Sequence, residues 1–200
     1  MIEIISVDDH EMISLGLDKV FSETEDIRLC NFCKTKSQLQ KLLATKTPEE
    51  IENTVAMIDI KLEEENGFDC ADLLIEQKIK CLMYSSYSNA GLIIKSMEHK
   101  IKGFISKNAD KSEILDAVRA IYRGETYIQK DLISDMMYVS GILVTLTKRE
   151  REILDLLAEH LPNEMIAQQL NLTKRSVENY VSRIFDKFNV NNRYELERFL

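Results

Sequence analysis

Over the first two thirds of the chain, short apolar, β-branched runs alternate with segments whose apolar positions recur every three to four residues. Ile2 to Val7, Ile27 to Phe32, Val55 to Ile58, Lys80 to Tyr84 and Lys102 to Ile105 have the length and composition of buried strands. Met12 to Phe21, Ser37 to Leu43, Phe68 to Gln77, Ala90 to His99 and Lys111 to Arg123 carry the helical period. Strict alternation of the two predicts a doubly wound α/β fold, a five-stranded parallel sheet with helices on both faces. Beyond Arg123 the pattern changes. Gly124 stops a helix, "YIQKDLISDMM" suits a short helix, and "YVSGILV" reads as a compact linker. From Thr145 onward the pattern is helical only. Thr147 and Glu150 form a T-x-x-E capping box opening a helix to about His160, Asn163 starts a second, Thr173 caps a third to about Lys187, and Asn192 opens a fourth. The turn "LNL" between the second and third is as short as a helix-turn-helix requires. The expected division is residues 1–124 as one domain, 125–144 as a linker and 145–200 as a small all-α domain.

In an open parallel sheet ligands collect at the carboxyl ends of the strands. The first strand ends in Asp8 and Asp9, the third in Asp59, and the fourth in Ser85; Lys107 follows the fifth. Two adjacent carboxylates after a buried strand repel and lose solvation unless something positive compensates them. Three carboxylates with carbonyls and waters make a hard oxygen site suited to Mg²⁺ that leaves room for a phosphoryl group. A carboxylate is also a nucleophile toward phosphorus when a metal and a cation neutralise the phosphoryl oxygens, and Lys107 and the Ser85 hydroxyl are placed for that.

Composition narrows the reading. The chain has 200 residues, 44% hydrophobic and 30% charged, with no uninterrupted apolar stretch of roughly 18 residues. A folded cytoplasmic protein without membrane association is expected. The C-x-x-C of Cys30 and Cys33 has no second pair and no nearby histidine to complete a zinc set, and in a strand the two point to opposite faces. The formal net charge is −8, whereas Thr145 to Leu200 holds nine Lys and Arg against nine Asp and Glu, so the excess acid lies in the first part.

"VDDH", "MID" and "GFISK", with Ser85 lying 22 positions before Lys107, resemble the receiver domain of two-component response regulators over about the first 125 residues. The resemblance implies a CheY-like, flavodoxin-like receiver in which Asp59 is the phosphoacceptor. It further implies that Asp9, Asp59 and the Lys61 backbone carbonyl ligate Mg²⁺, that Asp8 supports the metal shell, and that Ser85 and Phe104 are the switch pair, with Lys107 on the phosphate. Two loop positions depart from the family. Glu63 and Asn108 stand where prolines are frequent, while Gly67 occupies the usual glycine; the run Glu63, Glu64, Glu65 either adds negative charge near the metal or is only a solvated loop.

"LTKRE", "IA", "SVEN", "DKFNV" and "NNR" resemble the LuxR-type DNA-binding domain of NarL/FixJ regulators. That resemblance implies a transcription regulator with a sensor histidine kinase and promoter double-stranded DNA as partners, RNA polymerase as a further one, and a homodimer on phosphorylation. A third helix beginning "TKRSVENYVSR" offers Lys174, Arg175, Ser176, Glu178, Asn179, Ser182 and Arg183 to DNA, with Val177, Val181 and Ile184 toward the core. Glu164 and Glu178 stand where the family commonly has lysine. In the last helix Leu196, Phe199 and Leu200 are expected to form an apolar dimerisation stripe. Two other readings compete. A phosphoryl-transfer enzyme of the haloacid dehalogenase type, which also uses a strand-end Asp, needs an acid two residues after its nucleophile, where this chain has Lys61; an interaction module without DNA binding is hinted at only by Glu164 and Glu178.

Overall fold

The computed structural model describes residues 1–63 and 65–200. Along the chain run β1 (Ile2–Val7), α1 (Glu11–Ser22), β2 (Ile27–Cys33), α2 (Lys36–Leu43), α3 (Pro48–Glu52), β3 (Thr54–Ile58), α4 (Gly67–Glu76), β4 (Lys80–Ser85), α5 (Ala90–Glu98), β5 (Gly103–Ser106), α6 (Lys111–Tyr122) and β6 (Tyr127–Ile128). The helices α7 (Lys130–Thr145), α8 (Lys148–Ala158), α9 (Asn163–Gln169), α10 (Lys174–Phe188) and α11 (Arg193–Glu197) follow. Two compact units result: Met1–Ser88 with Ile93–Asp131, and Leu132–Leu200 with Asn89–Leu92.

The first unit is built on a parallel sheet in the order β2-β1-β3-β4-β5-β6. Its middle strand, β3, is buried along its whole length, which is why it reads as continuous apolar sequence rather than as alternation. Ile4, Met57, Leu82 and Ile105 pack with Leu17 and Phe21 of α1 and with Val118 and Ile121 of α6 into one core. The chain adds β2 on one side of β1 and everything after it on the other. The order therefore reverses between β1 and β3, and a crevice opens there at the strands' carboxyl ends.

Among the described residues the sheet has six strands, not the five expected from the sequence. The sixth is only two residues long, too short to show periodicity. It forms because Gly124 takes φ +80 at the end of α6 and turns the chain back along β5, where Tyr127 N–H donates to Lys102 O (2.9 Å) and Gln129 N–H to Phe104 O (3.0 Å). The helix α3 was also not anticipated, although Thr47, Pro48 and Glu50 give it a complete capping box with proline in the first turn. The stretch read as a short helix followed by a linker is a single 16-residue helix, α7. Burial of Val139 and Ile142 holds it helical through Gly141, whose lack of a side chain costs about 1 kcal/mol there.

In the second unit, α8, α9 and α10 enclose Ile153, Leu157, Ile166, Val177, Val181, Ile184 and Phe188. Thr147, Thr173 and Asn192 cap α8, α10 and α11 with side-chain oxygens, as the sequence predicts, and α10 ends at Asn189 in the left-handed region (φ 53).

Candidate functional site

Backbone pairing carries the sheet one residue past its strands and so fixes the site residues. Asp8 N–H donates to Cys33 O (3.1 Å), Asp59 N–H to Val7 O (2.9 Å) and Lys107 N–H to Ser85 O (2.9 Å). Asp8, Asp59, Ser85 and Lys107 thus sit on adjacent strand ends in fixed register. Gly67 is required by the same construction. A Cβ there would lie 1.9 Å from Asp59 O, so only glycine lets the start of α4 fold back over β3, where its N–H donates to Ile60 O (2.9 Å).

The side chains converge on Asp59, which is 6% exposed. Its Oδ1 accepts from Ser85 Oγ (2.7 Å) and its Oδ2 from Lys107 Nζ (2.7 Å). Lys107 also approaches Asp8 Oδ2 at 2.6 Å, so one ammonium bridges two buried carboxylates. Burial alone would pull the lysine's pKa down. The hydrogen bond to Asp59 and the close pairing with Asp8 outweigh it, and the pKa lies above the ordinary value. Asp9 and His10 complete the cluster, with His10 Nδ1 2.6 Å from Asp9 Oδ1 and 3.3 Å from Asp8 Oδ1.

Three carboxylates against one lysine leave an excess of two negative charges in a mostly buried place. Asp8 Oδ2 and Asp9 Oδ1 are buried and accept no well-aligned hydrogen bond. One ligand atom each from Asp8, Asp9, His10 and Asp59 lies within 4.8 Å of the others. A divalent cation preferring oxygen fits that donor set. Beside it opens a cavity of ≈ 470 Å³ lined by Asp9, His10, Asp59, Lys61, Tyr87 and Lys107, among others. The Lys61 ammonium lies 4.0 Å from the Tyr87 ring centroid at its rim.

In the second unit, α10 turns Val177, Val181 and Ile184 inward and exposes Lys174, Arg175, Glu178, Asn179, Ser182 and Arg183. Ser176 is half-buried, its hydroxyl 2.8 Å from Thr173 Oγ1 at the helix cap. Lys174 pairs with Glu164 of α9, which raises the lysine's pKa and lowers the carboxyl's through their hydrogen bond. The Arg183 guanidinium lies 5.7 Å from the Tyr180 ring centroid.

The family described as "Response regulator receiver domain" matches residues 4–119, more than half of the chain. The chain belongs to the response regulator receiver family. Residues 144–200 match "Bacterial regulatory proteins, luxR family". A response regulator with a receiver followed by a LuxR-type helix-turn-helix domain is the NarL/FixJ arrangement. Transcriptional regulatory protein DesR of Bacillus subtilis is 25% identical over 98% of this chain and 94% of its own, and response regulator protein VraR of Staphylococcus epidermidis is 27% identical over 96% and 92%. The fold is also that of RcsB from Salmonella enterica serovar Typhimurium, with a TM-score of 0.75 at 17% identity over 99% of this chain and 97% of that one. The family's role is regulatory. Among the described residues no helix is long and apolar enough to cross a membrane.

Some expectations need correction. Leu196 is fully buried in the core of the helical unit and cannot present a dimerisation stripe. Phe199 is half-buried, its ring 5.8 Å from Tyr138 of α7 and 5.9 Å from Phe188 of α10, and Leu200 is half-buried too. The α7 helix, read as linker, supplies part of the cover that the small domain was expected to lack; on α11 the exposed apolar residue is Tyr194, at 78%. Of the acidic run after β3, Glu63 lines the cavity beside the carboxylate cluster, Glu65 turns away and accepts from Lys36 N–H at the start of α2, and Glu64 lies outside the described residues. His10, Tyr87 and Tyr180 were not singled out from sequence. His10 is adjacent to the acidic pair and was legible; the two tyrosines carry no local signal.

Proposed function

We propose that Asp59 is the phosphoacceptor of this response regulator, taking a phosphoryl group from the histidine of a partner sensor kinase. One observation carries the reading: both oxygens of Asp59 are engaged, Oδ1 by the Ser85 hydroxyl and Oδ2 by the Lys107 ammonium. These are donors of the kind that the equatorial oxygens of a transferred phosphoryl group require. An Asp59 carboxylate oxygen forms the new bond to phosphorus as the bond to the kinase's histidine nitrogen breaks; the electron pair of that bond stays on the nitrogen, and the ring leaves as neutral imidazole because its other nitrogen carries a proton. Asp8, Asp9, Asp59 and the Lys61 carbonyl are the proposed holders of Mg²⁺, which when bound neutralises charge on the phosphoryl oxygens. Ser85 and the fully buried Phe104 are the proposed switch pair.

Residues 1–124 are assigned the receiver role and 145–200 the DNA-reading role, joined by 125–144. The exposed side chains Lys174, Arg175, Glu178, Asn179, Ser182 and Arg183 form the face proposed to meet promoter DNA, with Ser176 at its edge. RcsB, whose fold this chain shares, was solved bound to a promoter in the presence of a phosphomimetic. Phosphorylation-promoted dimerisation places two such helices in successive major grooves, roughly 34–36 Å apart, and RNA polymerase is a proposed further partner. The test is labelling with acetyl phosphate and Mg²⁺. One hydroxylamine-sensitive phosphate is expected on the wild type and none on Asp59→Asn; equal labelling of that variant overturns the assignment.

A further inference from the structure

Two stretches of the sequence repeat one another: "EQKIK" at Glu76–Lys80 and "EHKIK" at Glu98–Lys102. Each closes a helix and leads into a strand, the first between α4 and β4, the second between α5 and β5. Since β4 and β5 are neighbours, the two copies meet at the amino ends of the strands, the sheet edge opposite Asp59. In both copies the first lysine takes a left-handed backbone, φ 64 at Lys78 and 63 at Lys100, the sharp reversal that turns helix into strand.

Lys78, Lys80, Lys100 and Lys102 line a concavity of ≈ 250 Å³ together with the buried Ile79 and Ile121. Lys102 Nζ donates to Gly124 O (2.9 Å); Lys80 Nζ reaches Glu52 O (3.4 Å) and lies 4.7 Å from the Tyr122 ring centroid. Among the described residues none of the four forms a salt bridge with a carboxylate. That runs against the chain's net charge of −8. Helix dipoles account for one lysine behind each helix. They do not call for a second pair around the same apolar floor.

We propose that this concavity binds a small amphipathic phosphate, its phosphate held by the lysines and its aliphatic or aromatic body resting on Ile79 and Ile121. Lysine binds phosphate as a mobile point charge and needs no fixed fork geometry, which suits four flexible side chains around one group. The cavity falls below the about 300–1,000 Å³ typical of drug-sized ligands, which favours a metabolite-sized body over a peptide.

The test titrates the full chain, without Mg²⁺, with phenyl phosphate, inorganic phosphate and phenol, following backbone amide shifts by NMR. Phenyl phosphate is expected to give saturable shifts at Ile79, Lys102 and Gly124, with affinity at least about tenfold above either half alone. The double variant Lys78→Gln with Lys100→Gln, both exposed positions, is expected to lose about tenfold. Unchanged acetyl phosphate labelling of Asp59 in that variant shows that the receiver is intact. Shifts confined to the surroundings of Asp59, equal affinity for inorganic phosphate, or undiminished binding by the double variant each overturn the proposal.

Discussion

Neutralising Glu150 is expected to loosen the frame that holds α10, and the size of the effect follows from the carboxylate's surroundings. Glu150 is 3% exposed, and its Oε2 accepts from Lys187 Nζ (2.8 Å), Thr147 N–H (2.8 Å) and Thr147 Oγ1 (2.9 Å). Lys187 also donates to Thr145 O (2.8 Å), so the one contact ties the start of α8 to the end of α10. The lysine first, then the Thr147 N–H, hold the Glu150 pKa down from 4.5 to about 2 against the opposing effect of burial. A depressed folded pKa means stability that is present above the unfolded value near 4.5 and is lost as pH falls toward 2. Taken whole, the shift corresponds to roughly 3 kcal/mol. Lys187 keeps 29% side-chain exposure, and solvent screening reduces the expected share to about 1–2 kcal/mol. Glu150→Gln is therefore expected to destabilise the helical unit by about 1–2 kcal/mol at neutral pH and to flatten its decline between pH 5 and pH 2. Lys187→Met, which leaves a buried carboxylate without its cation, is expected to cost more. Hydrogen exchange of the α8 and α10 peptides at neutral pH, with urea unfolding across the acid range, measures both. If Glu150→Gln unfolds as the wild type does at neutral pH and keeps the same acid slope, the pair contributes nothing and the coupling of α8 to α10 through it is wrong.

Leu196→Ala, at a fully buried position, is expected to destabilise the helical unit by about 2–5 kcal/mol, read by urea unfolding; a change within error would return Leu196 to the surface. Ser85→Ala is expected to retain labelling of Asp59 by acetyl phosphate while dimerising poorly in sedimentation, and equal dimerisation of the phosphorylated proteins would separate Ser85 from the switch. Glu164→Gln frees Lys174 from its carboxylate and is expected to tighten binding to all DNA sequences and to steepen the salt dependence by about two units for a dimer. Glu178→Lys discriminates two roles in a gel shift: general tightening if the glutamate only repels phosphate, loss of preference for the native promoter if it reads a base.

What the sequence conveyed well was whatever local chemistry decides. The strands, the end of each as a site for Asp8, Asp59 and Ser85, and the Thr147 and Thr173 caps all follow from patterns a few residues long. What it hid depends on distant partners. A two-residue strand has no period, so β6 is invisible until β5 is there to pair with it. An apolar side chain such as Phe199 reads the same whether a second chain or Tyr138 and Phe188 cover it, and Leu196 reads the same buried or exposed. The bridging of Asp8 and Asp59 by one lysine is likewise a property of three strands together.

On the proposed reading, the charge pattern makes the two domains depend on each other. The DNA-binding segment has no net charge, and on α10 one of its three exposed cations, Lys174, is already held by Glu164 and lies in the field of Glu178. On that helix Arg175 and Arg183 are the exposed cations left for phosphates. Because each phosphate contact adds nearly one unit to the salt exponent of affinity, so few contacts leave a lone copy weak at cellular ionic strength. A strongly basic helix would bind DNA whatever the state of the receiver and would leave phosphorylation little to control. With a neutral one, occupancy rests on the second copy, and the second copy rests on Asp59. The acidic residues that look misplaced in a DNA-reading domain are in that sense what keeps its output tied to the receiver.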